Sequence, residues 1–303
     1  HKMVIALKNP RFHRANFLME RIKIWVANRL SRRNLFAVDI ASNGTDITQL
    51  KAFEEADIIH LHWVNQGMLS LNNIEKILQS GKPIVWTMHD MWQFTGICHL
   101  TYDCERYQTE CSNCPQLCHP GDTDLSNKVF KKKQKLFSNH NVHFVAVSTK
   151  LQEKARGSKL LAQQPVSVIP NVFPATGFCT LDKGQSRTAL QLPAHKTILA
   201  FGAARIDDPC KGFDYLKKAI DILIAQGIFK PEQLHLALFG KIKHPEALND
   251  LPISYTYLGY LKDKQQLSRL YSAADAAVIP SRYETFGQIV MEAQACGCLP
   301  VTF

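Results

Sequence analysis

The chain has 303 residues, 46% of them apolar and 20% charged, with a formal net charge of +10. That size predicts two domains with their own cores, and the composition excludes disordered and fibrous classes. No apolar run approaches the roughly 18 residues that would span a bilayer, and His1-Lys2 opens without a secretory leader, so the chain reads as cytoplasmic.

An apolar run at residues 3–7 predicts the first strand. Residues 17–30 place Arg21, Lys23 and Arg29 among apolar side chains at mixed helical spacing. Such a basic helix could lie on an anionic bilayer, or pack as a domain helix with its polar face in water. Residues 57–63 predict a second strand and 71–80 a helix stopped by Gly81. Residues 83–88 predict a third strand that delivers His89 and Asp90 to its carboxyl end. A single His after a strand is usually structural, and Asp90 either orients it or caps the next helix.

A cysteine cluster follows within residues 98–118. Cys111 and Cys114 have the spacing of a metal knuckle, and Cys98 and Cys104 could complete a tetrahedral thiolate site for structural zinc. The second C-x2-C half is missing, and His99 and Cys118 are spare ligands. Disulfides, disfavoured in a cytoplasmic chain, and plain buried thiols stay open as alternatives. Residues 128–137 form a basic helix, with Lys128, Lys131, Lys132, Lys133 and Lys135 spread around it. Through residue 170 the chain holds 22 Lys and Arg against 14 Asp and Glu, and beyond it 14 against 12. The asymmetry points to an anionic partner such as a membrane surface, unless it is a solvated face. No nucleic-acid module accompanies the charges, so nucleic acid is not an expected partner.

Residues 144–148 predict a strand, 151–156 a helix and 165–171 a strand. A stretch rich in Gly, Pro, Thr and Ser at 172–196 predicts the hinge, which separates a first domain, 1–171, from a second, 172–303. The second domain opens with a strand at 197–202 ending in Gly202, then Arg205 and Lys211-Gly212-Phe213, then a helix at 214–226. Strand, Gly/Arg/Lys loop and helix suit a diphosphate that no metal neutralises, although a lone Arg and Lys are usually just solvated. Strands at 234–240 and 255–260 and a helix at 264–274 follow. Residues 276–280 predict a buried strand, 285–296 a helix ended by Gly297, and 299–303 a last strand. This alternation argues for doubly wound parallel α/β sheets. Glu284 in the loop and Glu292 two turns into the helix can face one crevice. Gly287 in the first turn lets an anion approach bare amides at the positive end of the dipole. The plainer reading is a capping acid and an exposed Glu.

Glu284-Thr285-Phe286-Gly287 together with Glu292-Ala293-x-Ala295-Cys296-Gly297 closely resembles the E-x7-E signature of retaining glycosyltransferases of the GT-B fold, glycosyltransferase family 4. Thr-Met-His-Asp-Met-Trp around His89 resembles the family's donor-sugar loop, and Arg205 with Lys211-Gly212 resembles its R-x5-K-G phosphate clamp. V-S-x-x-L at Val147 and I-P-N at Ile169 also match, with Val172 where the family usually has Gly. The Cys-rich string resembles an insertion found in a subset of the family, a shared structural element rather than a catalytic metal site.

The resemblance implies a GT-B architecture, two Rossmann-like domains facing across a cleft. It implies His89 and Glu284 as catalytic-site residues on the donor sugar. Gly202, Arg205, Lys211, Phe286 and Gly287 would lie around the diphosphate, Tyr260 beside the base and Glu292 on the ribose. No catalytic metal is expected. The implied activity moves a hexose or N-acetylhexosamine, with retained configuration, from a nucleotide-diphosphate sugar to a glycan or lipid-linked acceptor. It belongs to bacterial surface-polysaccharide synthesis, as a peripheral enzyme at the inner face of the plasma membrane. Against the family pattern both ends of the chain look cut. The rival readings are another GT-B nucleotide-sugar enzyme such as an epimerase, and a non-catalytic zinc-dependent binding module.

Overall fold

The computed structural model describes residues 10–173 and 176–303; the strand expected at 3–7 lies outside the described residues. The chain divides into two compact units, His1–Asn171 and Val172–Phe303.

The first unit runs α1 (Pro10–Ala27), α2 (Lys51–Glu54), β1 (Ile59–Leu61), α3 (Leu71–Gln79), β2 (Ile84–Met88), α4 (Leu125–Ser138), β3 (His143–Ala146), α5 (Thr149–Arg156) and β4 (Val166–Val168). Its strands pair in parallel in the order β1-β2-β3-β4. Trp86 of β2 stacks on Phe144 of β3 at 5.9 Å, and both rings are wholly buried. Ser70 and Asn73 close a reciprocal capping box that starts α3: each side-chain oxygen accepts the other residue's backbone N–H.

Two expectations for this unit change. The helix placed at 17–30 runs from Pro10 to Ala27, because proline suits the first helical position and Arg29 and Leu30 adopt positive φ. Its inward face buries Asn16, Glu20 and Arg21 beside a single wholly buried Ile24, while Leu18, Ile22 and Val26 are exposed. On α4, Lys128, Lys131, Lys132 and Lys135 are exposed, but Lys133 is wholly buried. Its Nζ donates to the Trp92 and Thr95 carbonyls at 2.6 and 3.1 Å and lies 3.3 Å from the Trp92 ring centroid. Burial pushes this ammonium down to about 7.

The second unit runs α6 (Lys183–Ala189), β5 (Thr197–Arg205), α7 (Phe213–Ala225), β6 (Leu234–Lys241), β7 (Ser254–Tyr257), α8 (Lys264–Ala273), β8 (Ala276–Ile279), α9 (Gln288–Ala295) and β9 (Leu299–Thr302). Its parallel sheet has the order β7-β6-β5-β8-β9. One face packs Ile198 and Ala200 against Leu270, Tyr271 and Ala293; the other packs Leu236 and Leu238 against Leu216 and Ile220. Covered on both faces, β6 is buried from Leu234 through Gly240, which is why it reads as a continuous apolar run. The expected hinge at 172–196 contains α6, started by an Asp182 carboxylate that accepts the Gln185 N–H at 2.7 Å. Strand order reverses at β5, between β6 and β8, and ligands of such sheets bind at the carboxyl ends beside that reversal.

Candidate functional site

The loops leaving β5 and β8 are knitted together. Gly212, at φ +70, starts α7, and a Cβ there would stand 1.9 Å from the Pro280 carbonyl oxygen. Glycine alone lets the start of α7 approach the end of β8 so closely. From the β8 side, the Arg282 backbone N–H donates to the Cys210 carbonyl at 2.9 Å, and its guanidinium reaches the Pro209 carbonyl and the Asp214 carboxylate. The result is a direct ion pair: Lys211 Nζ lies 2.5 Å from Glu284 Oε1.

The remaining expected residues lie at several points of this unit. Arg205 ends β5, its guanidinium 3.4 Å from Asp207 and 3.9 Å from Asp208. At Gly202 a Cβ would stand 2.3 Å from the Phe239 ring, so this glycine serves the packing of β5 on β6. Tyr260 is exposed beyond β7, with Lys241 Nζ 5.4 Å from its ring centroid. Half-buried Phe286 precedes Gly287, which is the N-cap of α9 at φ +78 rather than a first-turn residue. The helix therefore begins at Gln288, three residues later than its pattern predicts, because a left-handed residue cannot continue a right-handed turn. The nearest atom to a Cβ built on Gly287 would be Val290 Cγ2, at 3.8 Å, so the tip of α9 borders open space. Glu292 is half-buried on α9; burial raises its carboxyl above the usual range, against a hydrogen bond from Gln288 that lowers it. Lys211 and Glu284 are thus brought into contact, whereas Arg205, Tyr260 and Glu292 make their measured contacts with other neighbours.

In the first unit, parallel pairing of β1 with β2 sets the residues just beyond the two strands side by side. His62 Nδ1 lies 2.9 Å from His89 Nε2, so one ring donates and the other accepts. Burial, and next the neighbouring His62, hold His89 below the ordinary histidine range, with Asp90 opposing. Asp90 accepts the Trp92 N–H at 2.8 Å, one residue ahead of Met91, the N-cap of the turn Trp92–Phe94. Its second oxygen accepts from Trp63 Nε1 at 3.1 Å and meets His99 Nδ1 at 2.8 Å. His62 and Trp63 were not singled out by sequence, and His99 only as a spare ligand of the cysteine cluster; the run His60-Leu61-His62-Trp63 at the end of a predicted strand is the signal that could have found the first two.

Cys98, Cys104, Cys111 and Cys114 all line one small cavity. The spare ligands are engaged elsewhere: Cys118 Sγ lies 3.1 Å from Ser31 Oγ, and His99 pairs with Asp90. All nine cysteines are free thiols. Among the described residues, no three His, Cys, Asp or Glu side chains already stand as a ready-made metal shell.

A family model described as Glycosyl transferases group 1 matches residues 195–303, and one described as Glycosyltransferase Family 4 matches residues 3–175. WcaC of Escherichia coli, named for glycosyl transfer in colanic acid biosynthesis, is 24% identical over 254 residues, 79% of this chain and 58% of that protein. Sucrose-phosphate synthase of Thermosynechococcus elongatus superposes with a TM-score of 0.54 at 23% identity, covering 81% of this chain and 55% of that one. HepE of Anabaena, solved in complex with UDP and glucose, superposes with a TM-score of 0.53 at 19% identity, covering 82% and 59%. The chain therefore spans less than two thirds of the length of each of these proteins. The structural likeness is one of fold, and that fold is GT-B. With the family 4 model covering more than half of its residues, the chain belongs to glycosyltransferase family 4.

Proposed function

We propose that this protein moves a sugar from a nucleoside-diphosphate donor to a glycan or lipid-linked acceptor, with retained configuration, in surface-polysaccharide synthesis. The observation that carries the proposal is the Lys211–Glu284 pair, at 2.5 Å, beside the open tip of α9. A cation, a carboxylate and unpaired helix N–H groups at a topological switch point are what a sugar diphosphate needs without a metal. In this reading Lys211 and the Phe286–Gly287 backbone stabilise charge developing on the leaving diphosphate, and Arg205 joins them by exchanging its aspartates for phosphate oxygens. Glu284 accepts from donor-sugar hydroxyls, Glu292 from the ribose, and Tyr260 lies by the base. The family role of His89, contact with the donor sugar, is kept. The UDP and glucose bound by HepE make a UDP-hexose the first donor to try.

Contact with an anionic membrane belongs to the same proposal. Leu18, Ile22 and Val26 are exposed on α1 with Arg11, Arg14 and Lys23 around them. That is the composition of an interfacial helix. Among the described residues no helix is long and apolar enough to cross a membrane.

The test is donor turnover by the full-length protein and by Lys211→Ala. Removing one positioned cation from a developing anion costs about a hundredfold or more in turnover. Loss of a partly exposed ion pair costs about 1 kcal/mol of stability or less. Near-normal turnover in the variant removes the clamp from the mechanism, and donor conversion without any acceptor replaces transfer by epimerisation.

A further inference from the structure

We infer that the cysteine cluster of the first unit is a structural zinc site, with Cys98, Cys104, Cys111 and Cys114 as its four ligands. The inference stands apart from the transfer reaction and concerns the segment between the end of β2 and the start of α4. Across residues 95–124 the only regular element is the turn Arg106–Gln108, yet Thr95, Ile97, Thr101, Tyr107 and Leu117 are buried. An irregular stretch of that length inside a compact unit calls for something that holds it in place.

The four sulfurs supply the means. They line one cavity of about 20 Å³, room for a single water-sized occupant, together with Arg106 and Ser126. A backbone donor is aimed at one of these sulfurs. The Gly96 N–H donates to Cys111 Sγ at 3.2 Å. A Cβ at Gly96 would stand 2.6 Å from the Ser126 carbonyl oxygen and 3.1 Å from Cys111 Cβ, so this close approach is open only to glycine. Between Cys111 and Cys114, Asn113 adopts a left-handed backbone at φ +47, which turns the short loop back on itself. A backbone N–H held against sulfur favours the thiolate, the form in which cysteine ligates zinc.

Charge balance gives an independent reason. Four thiolates and one Zn²⁺ carry a net charge of about −2. Wholly buried Lys133 has two backbone carbonyls as its hydrogen-bond partners and, among the described residues, no carboxylate at ion-pair distance. Asp39 first, then Cys111, Asp90 and Cys98, are the groups that favour its charged form. A buried ammonium is costly, and a dianionic metal centre alongside would add to the counter-charge of the two aspartates. Binding is written Zn²⁺ + 4 Cys–SH → Zn(S–Cys)₄²⁻ + 4 H⁺. All four thiol protons are released, and the sulfurs close from the cavity wall onto the ion. The structure also selects among the sulfurs: Cys118, turned to Ser31, is outside the site.

The experiment measures metal per chain by emission spectrometry on full-length protein purified with reductant and without chelator. About one zinc per chain is expected, with four of the nine thiols protected from an aromatic disulfide reagent until a chelator is added. Cys118→Ser should keep the zinc, and Cys104→Ser and Cys111→Ser should lose it. The wild-type measurements stand if those two variants fail to fold. Metal-free protein with all thiols reactive, a disulfide in the unreduced mass, bound iron, or zinc retained by both variants would each overturn the assignment.

Discussion

Replacing Glu20 by Gln should make the protein more stable in mild alkali and leave it unchanged in mild acid. Glu20 is wholly buried on α1, where Oε1 accepts the N–H groups of Ile40 and Ala41, each at 2.7 Å. Asp39 lies beside it, and Arg21, 3.3 Å from Asp39 and 3.7 Å from Glu20, is the one cation the two acids share. Burial, and after it Asp39, push the Glu20 carboxyl from 4.5 up to about 8. Below 4.5 both folded and unfolded chains hold the proton, and nothing is lost. Between that value and about 8 the unfolded chain is ionised while the folded one is not, so stability falls as pH rises. At about 1.4 kcal/mol per unit, the loss reaches a ceiling of about 5 kcal/mol once pH passes the folded value. Glutamine keeps the oxygen that accepts both N–H groups and cannot ionise. Urea unfolding should therefore give E20Q a gain of at least about 2 kcal/mol near pH 8.5, and agreement with wild type within about 1 kcal/mol near pH 5. A variant weakened equally at both pH values would show an ionised Glu20 paired with Arg21, and the reasoning would fail. The cluster matters to the candidate site because the Asp39 carbonyl accepts Trp92 Nε1 at 2.8 Å, behind the loop that carries His89.

His62→Ala should raise the His89 pKa, because it removes a neighbouring ring that disfavours the charged form; a proton NMR titration of His89 that moves down or stays put would refute this. Gly212→Ala should cost more than about 2 kcal/mol, combining left-handed strain with a collision at the Pro280 oxygen; an unchanged melting temperature would contradict it. Ile22→Asp should leave folding intact, since Ile22 is 54% exposed, and should weaken sedimentation with anionic phospholipid vesicles; unchanged sedimentation would detach α1 from the membrane proposal.

Most of the fold was readable because a parallel sheet buried on both faces writes its strands as apolar runs, and its helices end on residues of known habit. Gly297, at φ +73, ends α9 where expected, with the Cys298 N–H returning to the Ala293 carbonyl at 3.0 Å. What misled was single-residue detail within right elements. Periodicity carried the helix through Thr285, and no periodic signal shows that Gly287 is left-handed. On α4 five lysines looked alike, and only the carbonyls of Trp92 and Thr95, remote in the chain, separate Lys133 from the exposed four.

The two chemically richest contacts were legible to different degrees, for one physical reason. Lys211 and Glu284 are 73 residues apart, yet Lys211 adjoins Gly212, which starts α7, and Glu284 stands three residues before Gly287, the N-cap of α9. Their meeting follows once β5 and β8 are neighbours. His62 and His89 are 27 residues apart, and no such marker flags His62. Its position depends on the register Leu61↔Trp86, which is set by side chains packing on both faces of the sheet. A slip of one residue in that register would put Leu61 or Trp63, from the opposite face of the strand, where His62 meets His89. Substitutions at Trp86, whose Nε1 also donates to the His62 carbonyl at 2.9 Å, should thus separate the two histidines by shifting β1.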